Sequence, residues 1–434
     1  MISVNIYYKG INGNAKKFVN EMIDLGIVDK IRKEEGNLRY EYFFPIDDNE
    51  TVLLIDCWKN QEALDIHHKL PLMKEIMELR EKYDLHMVVE KYESISDDKE
   101  EKYIRKWDYY MNKISFVNEW DKCYPKNNNV NHKKVTFKNH FGIELVADYF
   151  SPKNLSSKLP AIACCGAFGA VKEQHSGLYA QEMASRGFVT IAFDPSFTGE
   201  SGGNHRYMNS PDINVEDFQA AIDYLSNLDE VDNNKISIIG ICGWGGMAIQ
   251  TACIDTRIKA TVAITMYDMS RVTGNGYFDE ADNEEARYKA RVAINNQRTI
   301  DFKNGSYKLG GGVVDDPTDM PYFVKQYYDY YKTDRGYHKR SLNSNGGWNI
   351  TASTSLLNTR LFTYISEIRS AVLLVHGENA HSKYFSESVF KLLKGNNKEL
   401  YIVKDANHCD LYDGGREHNK IPFDKIEKFI KDNI

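Results

Sequence analysis

No CxxC pair, no metal-type cysteine spacing and no apolar run near the ~18 residues that span a bilayer occur in these 434 residues. The seven cysteines, at 57, 123, 164, 165, 242, 253 and 409, are too scattered for a disulfide scaffold, which predicts a reducing, cytoplasmic setting. The opening MISVNIYYKG lacks the basic-then-apolar layout of a secretory signal, in line with that expectation. There is no surplus of positive charge either. At a net charge of −7 there is no electrostatic case for nucleic acid or an anionic membrane, and the expected partner is a small molecule. What is abundant is aromatic: Tyr 28 and Phe 20, crowding into DMPYFVKQYYDYY at 319–331, a cluster expected to line buried or lid surfaces. The length predicts two or three domains.

The first stretch has its own pattern. VNIYYK (4–9) reads as a strand, and NAKKFVNEM places Ala15, Phe18, Val19 and Met22 at i, i+3, i+4 and i+7, one apolar helical face. LRYEYFF (38–44) and TVLLIDCW (51–58) are two strands joined by a polar turn. Asn60 offers an N-cap to a helix around Ala63 to Leu70, Pro71 interrupts or restarts it, and HMVVEKY (86–92) supplies a last strand. The order β-α-β-β-α-β is ferredoxin-like. With YYKG, NLRYEYFF, LLIDCW and LDIHHK, residues 1–93 resemble the antibiotic biosynthesis monooxygenase family, whose members pair two such sheets into dimeric α/β barrels. The resemblance implies a homodimer through this domain and pocket candidates Asn37, Trp58, His67 and His68. Neighbouring helical residues point about 100° apart, so the two histidines cannot both face one pocket.

Residues 94–132 read as a linker with a helix in its aromatic middle, and 133–434 as an α/β domain. There AIACC, FVTIAF, ISIIGI, KATVAIT, AVLLVHG and ELYIVK are nearly continuous apolar runs, the pattern of strands buried on both faces of a mostly parallel, doubly wound sheet. The interval 269–367, rich in Tyr, Asn and Gly, is too long for a crossover and is read as a lid.

The strand ISIIGI runs into IIGICGWGGMA, a strand-to-helix turn of the kind that carries a nucleophile, but without serine. Two frames compete. One centres on Cys242, between Gly240 and a bulky Trp244; the other satisfies the small positions with Cys242 and Gly246 but puts unreactive Trp244 at the tip, with Gly245 beside it. His408, in the loop after the last strand, is the candidate base. Glu378 is the candidate acid, with Asp268 as the alternative. Backbone N–H groups of Phe168, Gly169 and Gly243 are the candidate oxyanion hole. The literal G-x-S-x-G at 199–203 does not form a strand-to-helix turn, so Ser201 lacks the required context.

GAFGAVKEQHSGLYAQEMASRGFVTIAFDPS, TGESGG, IGICGWGGMA, DTRIKATVAITMYDMSR, YYDYYKT, LLVHGENAHS and HCDLYD together resemble a bacterial group of α/β hydrolases related to dienelactone hydrolases. Members of that group commonly read GICGSGG, which would align a serine with Trp244. The resemblance implies a lidded hydrolase of small esters, lactones or thioesters with no cofactor and no metal. Three readings stay open at this point: Cys242 as nucleophile, a degenerate site kept for binding, or cofactor-independent oxygenation in the first domain.

Overall fold

The computed structural model describes every residue except 47, 94–116, 118 and 156. The described residues fall into two compact units, with the division inside the undescribed stretch. The helix expected within 94–132 belongs mostly to residues outside the description. What is described of it, Val117 and 119 onward, is irregular up to Val130 and packs on the second unit, Lys122 bridging to Asp148 at 2.6 Å.

In the first unit the order is β1 (Ile2–Lys9), α1 (Asn14–Asp24), α2 (Ile27–Arg32), β2 (Asn37–Phe43), β3 (Thr51–Trp58), α3 (Gln61–His67), α4 (Leu72–Lys82) and β4 (His86–Glu93). The antiparallel sheet runs β2-β3-β1-β4. Ala15, Phe18, Val19 and Met22 are buried, as the helical period requires. Asn60 caps α3 by accepting from the Ala63 N–H at 3.0 Å, and Pro71 precedes a fresh helix instead of prolonging the old one. β4 is an edge strand exposed along its whole length.

The second unit contains β5 (Val130–Lys138), β6 (Glu144–Pro152), β7 (Leu159–Cys165), α5 (His175–Ser185), β8 (Val189–Phe193), α6 (Pro211–Ser226), β9 (Val231–Ile241), α7 (Gly243–Ala252) and β10 (Ile258–Ile264). After a long insertion come β13 (Ala371–Gly377), α12 (Lys383–Leu392), β14 (Lys398–Val403), α13 (Asp410–Asp413) and α14 (Phe423–Asp432). The insertion holds α8 (Met269–Asn275), α9 (Glu284–Asn304), β11 (Leu309–Gly310), α10 (Tyr322–Tyr331), β12 (Trp348–Asn349) and α11 (Ser353–Leu357). Eight strands line up as β14-β13-β10-β9-β7-β8-β6-β5, all running one way except β6, which is antiparallel to both of its neighbours. β7, β8, β10 and β13 are buried over most or all of their length because helices cover both faces, which is why they read as unbroken apolar runs. With β9 central and fifth from the β5 edge, this is the α/β-hydrolase architecture. Ligands in such sheets sit at the carboxyl ends of the strands.

Candidate active site at the β9–α7 turn

Gly240 must be glycine: a Cβ there would collide with the Trp244 carbonyl. Two residues on, Cys242 occupies φ 56°, ψ −123°, a region that non-glycine residues rarely visit. Its N–H donates to the Ile264 carbonyl at 2.8 Å, and its own carbonyl accepts from Gly245 and Tyr267, both at 2.9 Å, so the turn is held from β10 and from α7. A non-glycine residue kept at positive φ between a strand and a helix marks the tip of the elbow. Of the two frames, the one realised is Gly240-x-Cys242-x-Trp244.

Trp244 is not at the tip. Its side chain is 1% exposed and meets Phe193 and Phe218 edge-on at 5.9 and 5.4 Å, a core position. The expectation that the residue two beyond the nucleophile must be small is corrected here. At that position the side chain turns down from the first turn of α7 into the sheet–helix core, and the crowded position is Gly246, whose Cβ would press on the Tyr267 carbonyl.

The Cys242 thiol is 8% exposed. Burial pushes its pKa up, opposed by the Tyr412 hydroxyl and the backbone N–H groups of Gly243 and Phe168, all of which meet the sulfur. Two of the three candidate oxyanion donors thus converge on one point. Gly169 serves differently: at φ +86° it lets Asn343 approach, and its carbonyl accepts from Ser341 Oγ at 2.9 Å. Asn343 Nδ2 donates to the Phe168 carbonyl at 2.8 Å, fixing that loop. From below, the Ala167 N–H donates to His175 Nε2 at 2.7 Å.

His408 is fully buried, and desolvation holds its pKa well below the ordinary histidine value, with His381, His376 and His175 adding to the effect. Its Nε2 lies 3.1 Å from the Tyr412 hydroxyl, so Tyr412 touches both thiol and imidazole. The Tyr412 ring is clamped flat on His175 at 4.4 Å. On the other side, His408 Nδ1 meets Ser382 Oγ at 2.5 Å and Thr265 Oγ1 at 2.9 Å. Neither expected acid is there. Glu378 is exposed and accepts from the Asp405 N–H at 3.1 Å, because the chain leaving β13 turns it outward. Asp268 caps α8, accepting from the Arg271 N–H at 2.9 Å. Sequence reasoning missed Tyr412, Ser382 and Thr265; the i, i+4 spacing of His408 and Tyr412 was the readable signal for the first.

Cys242 and Tyr412 open onto a cavity of about 610 Å³ walled by aromatic and aliphatic residues, among them Phe168, Tyr267, Tyr327 and Trp348. Much of that wall comes from the 269–367 insertion. Among the described residues lining it, none carries a formal charge. Ser201 lies elsewhere, its hydroxyl donating to the Asp194 carbonyl and accepting from the Val146 N–H. Glu173, Asp194 and Glu200 gather their carboxylates nearby, but the Lys172 ammonium sits among them at 2.8, 2.8 and 2.6 Å.

In the first unit Asn37, Trp58 and His67 do converge. Asn37 donates to Asp56 at 3.2 Å, and the Trp58 ring packs tilted against His67 at 4.7 Å. His67 Nδ1 in turn meets Glu34 at 2.9 Å. Burial raises the Asp56 carboxyl to about 6. His68 is exposed, as the 100° between neighbours demands.

Comparison with known proteins agrees with both halves. The antibiotic biosynthesis monooxygenase profile matches residues 1–79, and that of the X-Pro dipeptidyl-peptidase (S15 family) matches 142–410. An uncharacterized protein of Pseudomonas aeruginosa is 48% identical over 330 residues, 74% of this chain and 86% of its own. Its crystal structure superposes with a TM-score of 0.71, covering 74% of this chain and 99% of that one. The α/β hydrolase GrgF of Penicillium sp. sh18, 18% identical, shares the fold at TM-score 0.58 over 70% of this chain and 99% of its own. A thiohydrolase of Aspergillus aculeatus is 30% identical over 105 residues, 24% of this chain and 33% of its own. The chain thus belongs to the X-Pro dipeptidyl-peptidase (S15) family, an α/β hydrolase with an antibiotic biosynthesis monooxygenase domain before it.

Proposed function

We propose that the second unit hydrolyses a small, uncharged ester, lactone or thioester through Cys242 and His408. The observation that carries this reading is the left-handed Cys242 at the elbow, its sulfur already against the Phe168 and Gly243 N–H groups. As sulfur attacks the acyl carbon, the thiol proton passes to His408 Nε2, with Tyr412, which touches both, as carrier. The carbonyl oxygen becomes an oxyanion and takes the two N–H bonds. Collapse breaks the bond to the leaving alcohol or thiol, which receives the proton from His408 and leaves an acyl-Cys242 thioester. Water then attacks, giving its proton to His408, and a second collapse returns the thiol and releases the acid.

Substrate class follows from the wall of the cavity. With no charged lining residue, a peptide's α-ammonium or a free carboxylate has no partner there, so an apolar acyl group is favoured over a dipeptide despite the family name. A thioester suits the site best, since a thiolate leaves with little help from an acid. The test is turnover of short acyl thioesters and p-nitrophenyl esters, with mass spectrometry of Cys242. An acyl adduct on Cys242 supports the reading, and full activity in Cys242→Ala sinks it.

For the first unit, the raised Asp56 beside Asn37, Trp58 and His67 favours a second reading, cofactor-independent oxygenation of a quinol or anthrone, with Asp56 poised to exchange protons near neutral pH. Oxygen uptake with such a substrate tests it. The exposed edge β4, with Met87, Val88, Val89 and Tyr92 outward, supports a homodimer through this unit. All seven cysteines are free, which fits a reducing, cytoplasmic location.

A further inference from the structure

A histidine base is ordinarily oriented by a carboxylate on its second nitrogen, and among the described residues none is hydrogen-bonded to His408. We infer that Ser382, Thr265 and His376 replace that carboxylate with an uncharged positioning network, an inference that rests on the Cys242–His408 reading. Ser382 immediately precedes α12, Thr265 follows β10 and His376 lies in β13. Three separate segments therefore supply the network. Ser382 Oγ is 2.5 Å from His408 Nδ1 and 3.0 Å from His376 Nε2, while His376 Nδ1 is 2.7 Å from Ser386 Oγ. Thr265 Oγ1 adds a contact of 2.9 Å to His408 and one of 3.4 Å to His376. All five side chains are sealed from solvent.

One proton assignment satisfies the chain from end to end. His408 Nδ1–H donates to Ser382 Oγ, Ser382 O–H donates to His376 Nε2, and His376 Nδ1–H donates to Ser386 Oγ. That leaves His408 Nε2 unprotonated and facing Tyr412, the tautomer a base requires. The backbone at Thr265 supplies an independent sign. It holds φ 44°, an uncommon conformation for a β-branched residue, and keeps its hydroxyl at the imidazole.

The titratable groups that face His408 from the surrounding elements are His376, His381, His175, Tyr267, Tyr327 and Tyr412. None is an acid that is charged near neutral pH. A hydroxyl fixes the tautomer and the ring plane but adds no negative charge, so the imidazolium is left without the stabilisation a carboxylate gives. The resting pair is thus neutral thiol and neutral imidazole, not thiolate and imidazolium. Such a site acts on acyl groups that are already activated, thioesters above amides.

The experiment is the pH profile of kcat and of Cys242 alkylation by iodoacetamide in the full chain. Ser382→Ala should lower kcat roughly 10- to 100-fold with KM little changed, as losses of orienting partners do, and Ser382→Thr, which keeps the hydroxyl, should restore most of it. Ser382→Asp places a charge beside Nδ1 and should move the onset of alkylation down by about one pH unit or more. Glu378→Gln and Asp268→Asn should leave both profiles as in the wild type. If either of those two lowers kcat about 100-fold while Ser382→Ala does not, a carboxylate is the true partner and the network idea fails, with Cys242 still the nucleophile. Turnover persisting in Cys242→Ala would instead overturn the reading beneath it.

Discussion

Burial acts on one carboxyl in the first unit and on a cluster of histidines in the second, and the two respond to pH in opposite directions. In the first, Asp56 lies in β3 with its carboxyl raised to about 6. In the second, burial lowers His175 and His376 to about 3 and His381 to about 4. Both cases are desolvation favouring the neutral form. The difference teaches that one physical cause makes Asp56 favour acid and the histidines around His408 favour base, while Asp217 of the second unit, raised to about 6, answers as Asp56 does.

The largest expected effect breaks the second unit alone. Cys242→Ala should reduce acyl thioester turnover by ~1,000-fold or more, as removal of a nucleophile does, while oxygen uptake by the first unit stays at its wild-type value. Trp244→Ala should lower stability by about 3–5 kcal/mol, the range for emptying a buried aromatic site, seen as a lower urea midpoint for the second unit only. The double change Cys242→Ala with Trp244→Ser should stay inactive, because a serine at 244 faces the core; recovered activity would restore the alignment with GICGSGG.

pH separates the units next. A histidine that is neutral when folded but has an ordinary pKa when unfolded binds more protons in the unfolded chain between those values. The histidines' contribution to the second unit is therefore lost as pH falls from about 6.5 toward 4, by roughly 1.4 kcal/mol per pH unit for each such group, with Asp217 offsetting one of them. Asp56 has the opposite linkage. Its folded carboxyl binds the extra proton, so its contribution favours the first unit at low pH and is lost as pH rises through about 6. Asp56→Asn should remove that penalty and raise the unit's urea midpoint at pH 7, by on the order of 2–3 kcal/mol, with no gain at pH 4. Equal gains at both pH values would refute the linkage. Smallest of all, Val88→Glu on β4 should shift sedimentation toward monomer without altering thioester turnover.

Much of this arrangement could be read from the residues. Period two and period 3.6 separated the strands of the first unit from its helices, and unbroken apolar runs marked strands covered on both faces. The elbow was legible as a turn but not in its frame, because the direction of the Trp244 side chain depends on the packing of α7 against Phe193 and Phe218, far off in sequence. The acid was misplaced for a related reason. Carboxylates are sought after a strand by habit of chemistry, whereas the groups on His408 are hydroxyls, 143 positions away at Thr265 and 26 at Ser382. Serine and threonine are too common for such a convergence to stand out in one dimension.

The seat of the Cys242 sulfur has one further consequence. Peroxide attacks thiolates, and a sulfur that burial covers and holds toward its protonated form offers it little to attack. Burial supplies that protection, while the Phe168 and Gly243 N–H groups pull the other way, toward the thiolate. If Cys242 is the nucleophile, the same cover governs oxidant survival and access of substrate alike.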